Sequence, residues 1–518
     1  MFKKFQSDLL IKNPLIWNTR IIPFTILLLV FNLIFFLVGY NHGMIDFQNQ
    51  QDYHYNFLEP IVVIFSILTS LLVFISWAIF YFKNNAFKSF YPKSGLSIFK
   101  EWLLILVICS LNLAYIPTYF YAKDFRARNY FEKSELEGRC DIISKASIFL
   151  DGPFLEGYHI DVQDEKGEWK QIYRDSFDYN NRKYSLKSLI NKGYTSFSLN
   201  DHKKDSLNIN QVKKWMVNNQ QDSIKKLMAD YFKIINEHEL KSNINTEQWF
   251  KFVYDYPEFT NYITVGKRQV VEDYYLNDYY DDEVVETAKY IDSSVVYNSH
   301  ENIYDTISFD HKFKNGIKYL YYKHYINSKS LENSYDKISR SWIDPSVDYQ
   351  FIIVYLYISL GISLLFFTFK FTSGRSWLIS VITTITLGII LGVLFSFRIS
   401  TTTRFGIVIA IIIALLAYFT FILKKNETKK TSAIVLNLLV WYLPILLVMI
   451  YFLMIEILKI NEGYYDVEYE KRTYENFPLI ENLESFAMSF HSLNLIITII
   501  YMFFISKFVR KWKGIPES

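Results

Sequence analysis

The sequence predicts an α-helical polytopic membrane protein with about eight transmembrane helices and an extracytoplasmic α+β domain between the third and fourth spans. Three observations lead to this prediction. Of the 518 residues, 51% are apolar, yet the mean hydropathy is only +0.08, so apolar and polar parts must alternate. The apolar residues are concentrated in runs of about 20, which is the length that a helix needs to cross the hydrocarbon core. Lys and Arg are divided unequally between the segments that connect these runs.

The predicted spans are nearly free of charge in their middles. They lie at residues 21–40, 58–82, 102–121, 349–370, 377–397, 404–423, 432–458 and 485–507. The first run begins only at Ile21, and no cleavage pattern of small residues follows it. We therefore expect an uncleaved span and not a signal peptide. Pro117 and Pro444 are expected to bend the third and seventh spans.

The distribution of basic residues predicts the orientation of the spans. With the N-terminus inside, the short inner segments hold 18 Lys and Arg, and the short outer segments hold five. The inner set is Lys3, Lys4, Lys12, Arg20, Lys83, Lys88, Lys93, Lys100, Lys370, Arg375, Lys424, Lys425, Lys429, Lys430, Lys507, Arg510, Lys511 and Lys513. The outer set is Arg398, Arg404, Lys459, Lys471 and Arg472. This asymmetry predicts that both termini are cytoplasmic and that residues 122–347 are extracytoplasmic.

The chain accordingly divides into five parts. They are an amphipathic inner-surface helix (1–20), spans one to three (21–121), the extracytoplasmic domain (122–347), spans four to six (348–424), and spans seven and eight with a cytoplasmic tail (425–518). The first part is predicted from Phe2, Phe5 and Leu9, which share one helical face beside lysines that suit anionic headgroups.

The extracytoplasmic domain shows strand signals first and helix signals later. Residues 158–163 and 169–173 flank a plausible hairpin turn, and residues 195–199 are a further candidate strand. Apolar residues between Val212 and Ile235 recur at three- and four-residue steps, which predicts a helix with one buried stripe. Residues 245–257 begin like a capped helix and end at Tyr256-Pro257.

No catalytic or cofactor motif is found in the sequence, so we predict neither an enzyme nor a cofactor. A P-loop string is absent, so ATP would have to be bound by another chain. His238-Glu239 and His300-Glu301 each lack the second His of a zinc protease motif. The acidic run 278–283 lacks the central Gly of a calcium loop.

Charge and cysteine usage exclude two further classes of interaction. The formal charge of +3 provides no long-range field for nucleic acid. Cys109 lies in an apolar run and Cys140 in the polar domain, so no disulfide between them is expected.

Polar residues inside the spans are the principal candidate site. They are Asn32, Asn112, Asn437 and Asn494 in spans one, three, seven and eight, Glu456 near the outer end of span seven and His491 near the outer start of span eight. Such groups are costly in lipid, so they should face other helices or a water-filled path. The alternatives are hydrogen bonds between helices, worth about 0.6 kcal/mol on average, or a substrate or proton path. Glu456 could instead pair with Lys459.

Two further features indicate contacts. Gly388 and Gly392, four residues apart, would let another helix approach closely, either within the chain or between protomers of a homo-oligomer. The inner loop 83–100 carries Lys83, Lys88, Lys93 and Lys100. We expect this loop either to dock a cytoplasmic partner or simply to anchor the chain at the membrane.

Several of these features resemble permease subunits of ABC transporters. The amphipathic helix at 2–13, the inner loop 83–100 and the missing P-loop are similar to features of that class. The segments Asn13–Arg20 and Trp249–Pro257 resemble uncharacterised bacterial membrane proteins associated with ABC ATPases. Together these residues cover the N-terminal third and one patch of the outer domain, although a large domain between spans three and four departs from the usual six-span exporter half.

The resemblance implies a permease-like subunit of an inner-membrane ABC-type export complex. A separate cytoplasmic ATPase chain would dock at residues 83–100. The alternative that the sequence leaves open is a membrane-anchored receptor or scaffold, whose outer domain binds a ligand or an envelope partner.

Overall fold

The fold is given by a computed structural model. It describes residues 7, 10–12, 16–17, 20–48, 58–83, 96–150, 158–163, 169–174, 176–179, 182–185, 195–197, 199, 202–254, 265–267, 269–272, 310–314, 317–321, 324–397, 399–425, 429–466 and 477–513. The chain forms two compact units. The membrane unit comprises Met1–Val38, Leu58–Phe120 and Val347–Ser518, and the second unit comprises Gly39–Phe57 and Tyr121–Ser346.

The elements are numbered here in chain order. The helices are α1 (Ile21–His42), α2 (Leu58–Lys83), α3 (Ser97–Leu113), α4 (Tyr115–Arg128), α5 (Lys133–Ser147), α6 (His202–Val217), α7 (Gln221–Glu237), α8 (Thr246–Tyr254), α9 (Ser328–Ile343), α10 (Tyr349–Phe371), α11 (Gly374–Ser396), α12 (Thr401–Lys425), α13 (Lys429–Asn461) and α14 (Pro478–Lys513). The strands are β1 (Tyr158–Gln163), β2 (Trp169–Arg174), β3 (Ser176–Tyr179), β4 (Arg182–Ser185), β5 (Val265–Lys267), β6 (Gln269–Glu272), β7 (Asp310–Lys314), β8 (Ile317–Tyr321) and β9 (His324–Ile326).

Seven helices of the described residues are long and apolar enough to cross a membrane, and α3 with α4 makes an eighth if that bent pair is one span. The chain is therefore a helical polytopic membrane protein, as the sequence predicts. The α3–α4 pair bends by 52°. Pro117 explains the break, because its missing N–H leaves the carbonyl of Leu113 without its helical donor. Pro444, in contrast, does not interrupt α13.

Helix α10 contributes to both apolar clusters of the membrane unit. One cluster surrounds Trp77 and joins α1 to α4, and the other surrounds Trp102 and joins α3 to α10 and α12–α14. Phe366 of α10 packs against Trp77 with ring centroids 5.2 Å apart. Ser363 of the same helix accepts a hydrogen bond from Trp102 Nε1 at 3.1 Å. A shift of α10 would therefore disturb both clusters.

The second unit contains a helical core and short strand pairs. The core surrounds Tyr231, Trp249 and Tyr335 and is formed mainly by α5–α9. Strands β1–β2 and β3–β4 are antiparallel pairs, β5–β9 is a parallel pair, and β6–β8–β7 is an antiparallel sheet. The predicted hairpin is confirmed, since Tyr158 pairs with Arg174 and Gln163 with Trp169.

The predicted strand at residues 195–199 is wrong. Its described residues have no strand pairing, and their backbone groups bond to side chains instead. Thr195 N donates to Ser147 Oγ at 2.9 Å, and Leu199 N donates to Ser339 Oγ at 2.7 Å. These side chains take the place of a neighbouring strand.

The single helix predicted from the stripe between Val212 and Ile235 is two helices, α6 and α7. The chain turns at residues 218–220, where Asn219 adopts a φ of 51°, a conformation that asparagine tolerates better than most residues. The stripe stays in phase because both helices face the same core. The capped start of α8 is confirmed by two reciprocal hydrogen bonds, from Gln248 N to Asn245 Oδ1 (2.8 Å) and from Asn245 N to Gln248 Oε1 (3.0 Å).

Candidate functional site

A buried ion pair and a tyrosine join three helices of the membrane unit. The ammonium of Lys370, on α10, pairs with the carboxylate of Glu101, on α3, and the two side chains are only 4% and 3% exposed. Tyr81, on α2, donates its hydroxyl hydrogen to Glu101 Oε1 at 2.9 Å. We call these residues the charged triad. Because a buried charge without its partner is strongly unfavourable, the triad holds α2, α3 and α10 together.

The triad lies at both described ends of the predicted docking loop. Tyr81 lies two residues before the end of α2, and Glu101 lies in the first turns of α3. Lys100, beside Glu101, is exposed. Lys88 and Lys93 lie outside the described residues, as do most residues of the predicted helix at 1–20. The described ends of the loop are thus both tied to Lys370 of α10.

Sequence reasoning missed this triad. It counted Lys370 among the basic residues of the short inner segments, and it gave no role to Glu101, which directly precedes an apolar run. The signal was available. The predicted orientation places the start of the third span and the end of the fourth on the same side of the membrane, where opposite charges can pair.

Hydroxyl side chains form a buried stripe along α10. Ser359 and Ser363 are fully buried, and Thr368 is 3% exposed. Thr368 Oγ1 accepts a hydrogen bond from Trp441 Nε1 of α13 at 3.1 Å. Thr372 continues the stripe to the end of the helix.

Asn437 of α13 is fully buried and is hydrogen-bonded only through the nitrogen of its side-chain amide. Its Nδ2 donates to Thr372 Oγ1 at 3.3 Å and to Ser380 Oγ at 3.1 Å. Its Oδ1 has no hydrogen-bond partner among the described residues. Rotating the amide would not help, because both hydroxyl hydrogens are already donated to backbone carbonyls. The rotated Oδ1 would face two acceptors.

Asn494 of α14 is bonded in the same one-sided way and is 1% exposed. Its Nδ2 donates to Tyr357 Oη and to the carbonyl of Pro444, both at 2.8 Å. Its Oδ1 has no partner in the described part of the chain. The amide orientation is again fixed, since Pro444 O can only accept and Tyr357 donates its own hydrogen to the carbonyl of His491. We call Asn437 and Asn494, with their partners on α10 and α11, the polar seam.

His491 lies on the same face of α14 as Asn494, one helical turn away. Its ring makes an edge contact with Tyr357 at 5.8 Å and a tilted contact with Phe452 at 5.6 Å. Its Nδ1 is buried and has no partner among the residues described. A third unpartnered polar atom therefore lies close to the seam.

The two asparagines of the N-terminal helices are bonded through both amide atoms. Asn32 Nδ2 donates to Leu28 O and Leu111 O, and its Oδ1 accepts from Thr118 Oγ1 at 3.1 Å. Asn112 Nδ2 donates to Ser70 O and Oγ, and its Oδ1 accepts from Tyr115 Oη at 3.3 Å. Both residues thus make the interhelical hydrogen bonds that were one of the two predicted alternatives.

Glu456 makes the contact with Lys459 that the sequence analysis gave as an alternative. Lys459 Nζ lies 3.2 Å from Glu456 Oε1 and 2.6 Å from Glu484 Oε1 of α14. Tyr465 Oη donates to Glu456 Oε2 at 2.6 Å. Lys459 thus links α13 to α14, and the carboxylate of Glu456 bonds to Lys459 and Tyr465 and not in the seam.

Gly388 and Gly392 are exposed on α11. No described atom lies within 4 Å of a Cβ built at either glycine. The part of the chain that the structure describes thus offers no helix to pack there, and contact with another protomer is the alternative that stays a prediction.

In the second unit, His238 is enclosed by aromatic and charged groups. Its ring stacks on Phe47 at 3.9 Å, and its Nε2 lies 3.0 Å from Tyr335 Oη. Arg139 donates to Tyr335 Oη at 3.2 Å and to both oxygens of Glu237 at 3.0 and 2.9 Å. Burial lowers the pKa of His238, and the hydrogen bonds from Arg139 lower the pKa of Glu237.

These contacts leave His238 committed to the packing of the second unit. No group of three or more His, Cys, Asp or Glu among the described residues could hold a metal ion. Glu239 instead accepts from Gln48 Nε2 at 3.4 Å. His300 and the acidic run 278–283 lie outside the described residues. Cys109 and Cys140 are both buried, and they do not form a disulfide.

Comparison with protein-family models, curated proteins and solved structures finds no match for the chain.

Proposed function

We propose that the chain is the permease-like subunit of an inner-membrane ABC-type export complex, with the ATPase on a separate chain that docks at residues 83–100. The charged triad carries this proposal. It connects both described ends of the docking loop to α10, through Tyr81 and Glu101 on one side and Lys370 on the other. A partner that displaced the loop would therefore pull on α10.

Helix α10 is also where the polar seam is bonded. Tyr357 of this helix and Thr372, the residue that follows it, accept the hydrogen bonds of Asn494 and Asn437. A movement of α10 would change which groups the two amides can reach. This gives a physical route from a docked ATPase to polar groups within the membrane unit, which is what a permease subunit requires.

We further propose that both termini are cytoplasmic and that the second unit is a periplasmic α+β domain. The 18-to-5 division of basic residues supports this orientation. Chain topology supports the grouping, because residues 39–57 and 121–346 form one compact unit although two spans separate them. Two crossings return the chain to the side from which it started.

Co-purification in mild detergent tests the proposal. The full chain should bring down an ATPase subunit from its native membrane, and the double variant Lys88→Glu, Lys93→Glu should lose it. The matched control is Lys213→Glu, Lys214→Glu, which makes the same charge change at two exposed residues of α6. Recovery of the chain alone, or equal loss of the ATPase in both double variants, would reject the docking role of residues 83–100.

The second candidate function is a membrane-anchored receptor or scaffold. The packing of Phe47 favours it, because this residue lies shortly after α1 and is enclosed within the second unit by His238, Tyr335 and Phe131. A ligand bound by the second unit could thus act on the segment that follows the first span. Ligand binding by the purified chain without solute flux in proteoliposomes would favour this function over transport.

A further inference from the structure

The two asparagines of the polar seam each have an unbonded hydrogen-bond acceptor and no unbonded donor. Each Nδ2 is used twice, whereas each Oδ1 has no partner among the described residues. An unbonded buried acceptor is unfavourable, and it is more so away from water. In Asn32 and Asn112, by contrast, both the amide nitrogen and the amide oxygen are hydrogen-bonded. An asparagine of this chain that serves packing alone can therefore be fully bonded.

The two acceptors are arranged in series along α13. Asn494 bonds to the carbonyl of Pro444, which is seven residues after Asn437 on that helix. At 1.5 Å per residue, these levels are about 10 Å apart along the helix axis. His491 Nδ1 adds a further unpartnered atom one turn from Asn494. A species that donates hydrogen bonds would find successive acceptors along α13, with Ser380 of α11 beside Asn437 and Tyr357 of α10 beside Asn494.

The chemistry of the seam restricts what it can accept. The groups that accept from Asn437 and Asn494 are hydroxyls and a backbone carbonyl, all uncharged. Amide oxygens facing an anion would repel it. A divalent cation needs about six oxygen ligands, and these levels offer isolated ones. An uncharged solute with O–H or N–H donors matches both restrictions.

We propose that the polar seam is a water-accessible binding path for uncharged solutes that carry hydroxyl or N–H donors, with Asn437 Oδ1 and Asn494 Oδ1 as its acceptors. This inference rests on the proposed transport function for its meaning, because it names the class of solute that the permease would move. Its physical content, hydration and charge preference at two residues, does not depend on whether an ATPase binds.

Thiol labelling in membrane vesicles tests the path. Both native cysteines are buried, and the variant Cys109→Ala, Cys140→Ser provides a background without thiols. Asn437→Cys and Asn494→Cys are then made one at a time, so that each variant keeps the other acceptor. Leu439→Cys, at a residue of α13 that is 4% exposed, and Ile390→Cys, at a residue of α11 that is 55% exposed, are the buried and apolar-surface controls.

Three methanethiosulfonates of similar size are compared, with an uncharged hydroxyethyl group, a trimethylammonium group or a sulfonate. Rates are divided by those with a free thiol in water. We expect labelling at residues 437 and 494 and none at the controls. The hydroxyethyl reagent should react at least tenfold faster than either charged reagent, a difference of about 1.4 kcal/mol.

Two results would overturn the proposal. If the thiols of Asn437→Cys and Asn494→Cys are as unreactive as that of Leu439→Cys, no water reaches the seam. Equal or faster reaction of the sulfonate or the trimethylammonium reagent would reject uncharged solutes as the class. If either Asn variant fails to fold, Ser380→Cys and Thr498→Cys report on the same seam while both asparagines are kept. Ser380 accepts from Asn437, and Thr498 lies one helical turn after Asn494 and donates to its carbonyl. Neither result depends on the co-purification experiment, so failure of this inference and failure of the proposed function can be told apart.

Discussion

The substitution Glu101→Gln tests whether the charged triad holds the membrane unit together. It leaves the Lys370 ammonium at a place where the side chain is only 4% exposed. Removal of one partner from a buried ion pair typically costs about 3–5 kcal/mol, because the remaining charge is desolvated and uncompensated. Tyr81 can still donate to the glutamine oxygen, so the hydrogen bond to α2 is kept and the loss belongs to the ion pair. We expect a loss of about 3 kcal/mol or more in the free energy of unfolding.

The double variant Glu101→Met, Lys370→Met separates the charge from the packing. Replacing both members of a buried pair by apolar side chains is often neutral, or stabilising by about 1–4 kcal/mol. The buried Tyr81 hydroxyl loses its Glu101 acceptor in this variant, which costs about 1–3 kcal/mol. We therefore expect the double variant to unfold at a midpoint nearer to the wild type than that of Glu101→Gln. Denaturant titration of the purified chain in detergent, followed by tryptophan fluorescence, measures all three free energies under one condition.

The control is an exposed ion pair in the second unit. Lys225 and Glu247 lie 4.0 Å apart, with side chains 52% and 82% exposed, and such pairs contribute about 0–1 kcal/mol. Glu247→Gln should therefore change stability little. The reasoning is refuted if Glu101→Gln costs no more than Glu247→Gln, or if the double variant is as unstable as the single one.

Four other substitutions address the glycines and the histidine. Gly43→Ala should destabilise the second unit by about 1–3 kcal/mol, because its Cβ would meet the carbonyl of Lys123 and lie 2.8 Å from Arg126 Cβ; a denaturant titration that shows no loss contradicts this packing. Gly388→Leu and Gly392→Leu should leave the free energy of unfolding unchanged, since nothing described lies within 4 Å of a Cβ at either residue. A change in oligomeric state, measured by size-exclusion chromatography in detergent, would support the contact between protomers. Loss of the fold would instead show a neighbour within the chain. Burial lowers the pKa of His238 below its ordinary value near 6.5 in the folded chain, so the unfolded chain binds more protons. The stability from neutral His238 is therefore present above about pH 6.5 and lost as pH falls. His238→Phe, which keeps a ring on Phe47, should weaken the pH dependence of the unfolding midpoint between about pH 7 and pH 5, and an unchanged pH dependence would contradict the assignment.

The spans could be predicted from sequence because the rule behind them is local. A run of about 20 apolar residues must become a helix in lipid, whatever its neighbours are. The same locality explains the errors. The stripe from Val212 to Ile235 keeps its period across a turn at residues 218–220, so periodicity alone gave one helix where there are two. The candidate strand at 195–199 was misread because its backbone partners, Ser147 and Ser339, are distant in sequence.

The candidate site shows the same limit more sharply. Sequence located Asn32, Asn112, Asn437 and Asn494 and could state that each was costly in lipid. Which of them are fully bonded depends on side chains from other helices, such as Thr118 for Asn32 and Tyr357 for Asn494. The pairing of Glu101 with Lys370 was equally hidden, because it joins the third span to the fourth across the whole second unit.

The charged triad and the polar seam meet on α10. Lys370 of this helix pairs with Glu101, and Tyr357 of the same helix accepts a hydrogen bond from Asn494 at 2.8 Å. A displacement of the docking loop that passes through Glu101 to Lys370 would therefore reach the seam. If the triad transmits this motion, the double variant Glu101→Met, Lys370→Met should remain folded and keep the proposed ATPase while losing the effect of the chain on ATP hydrolysis. A double variant that stimulates the ATPase as the wild type does would show that the triad stabilises the bundle without transmitting motion.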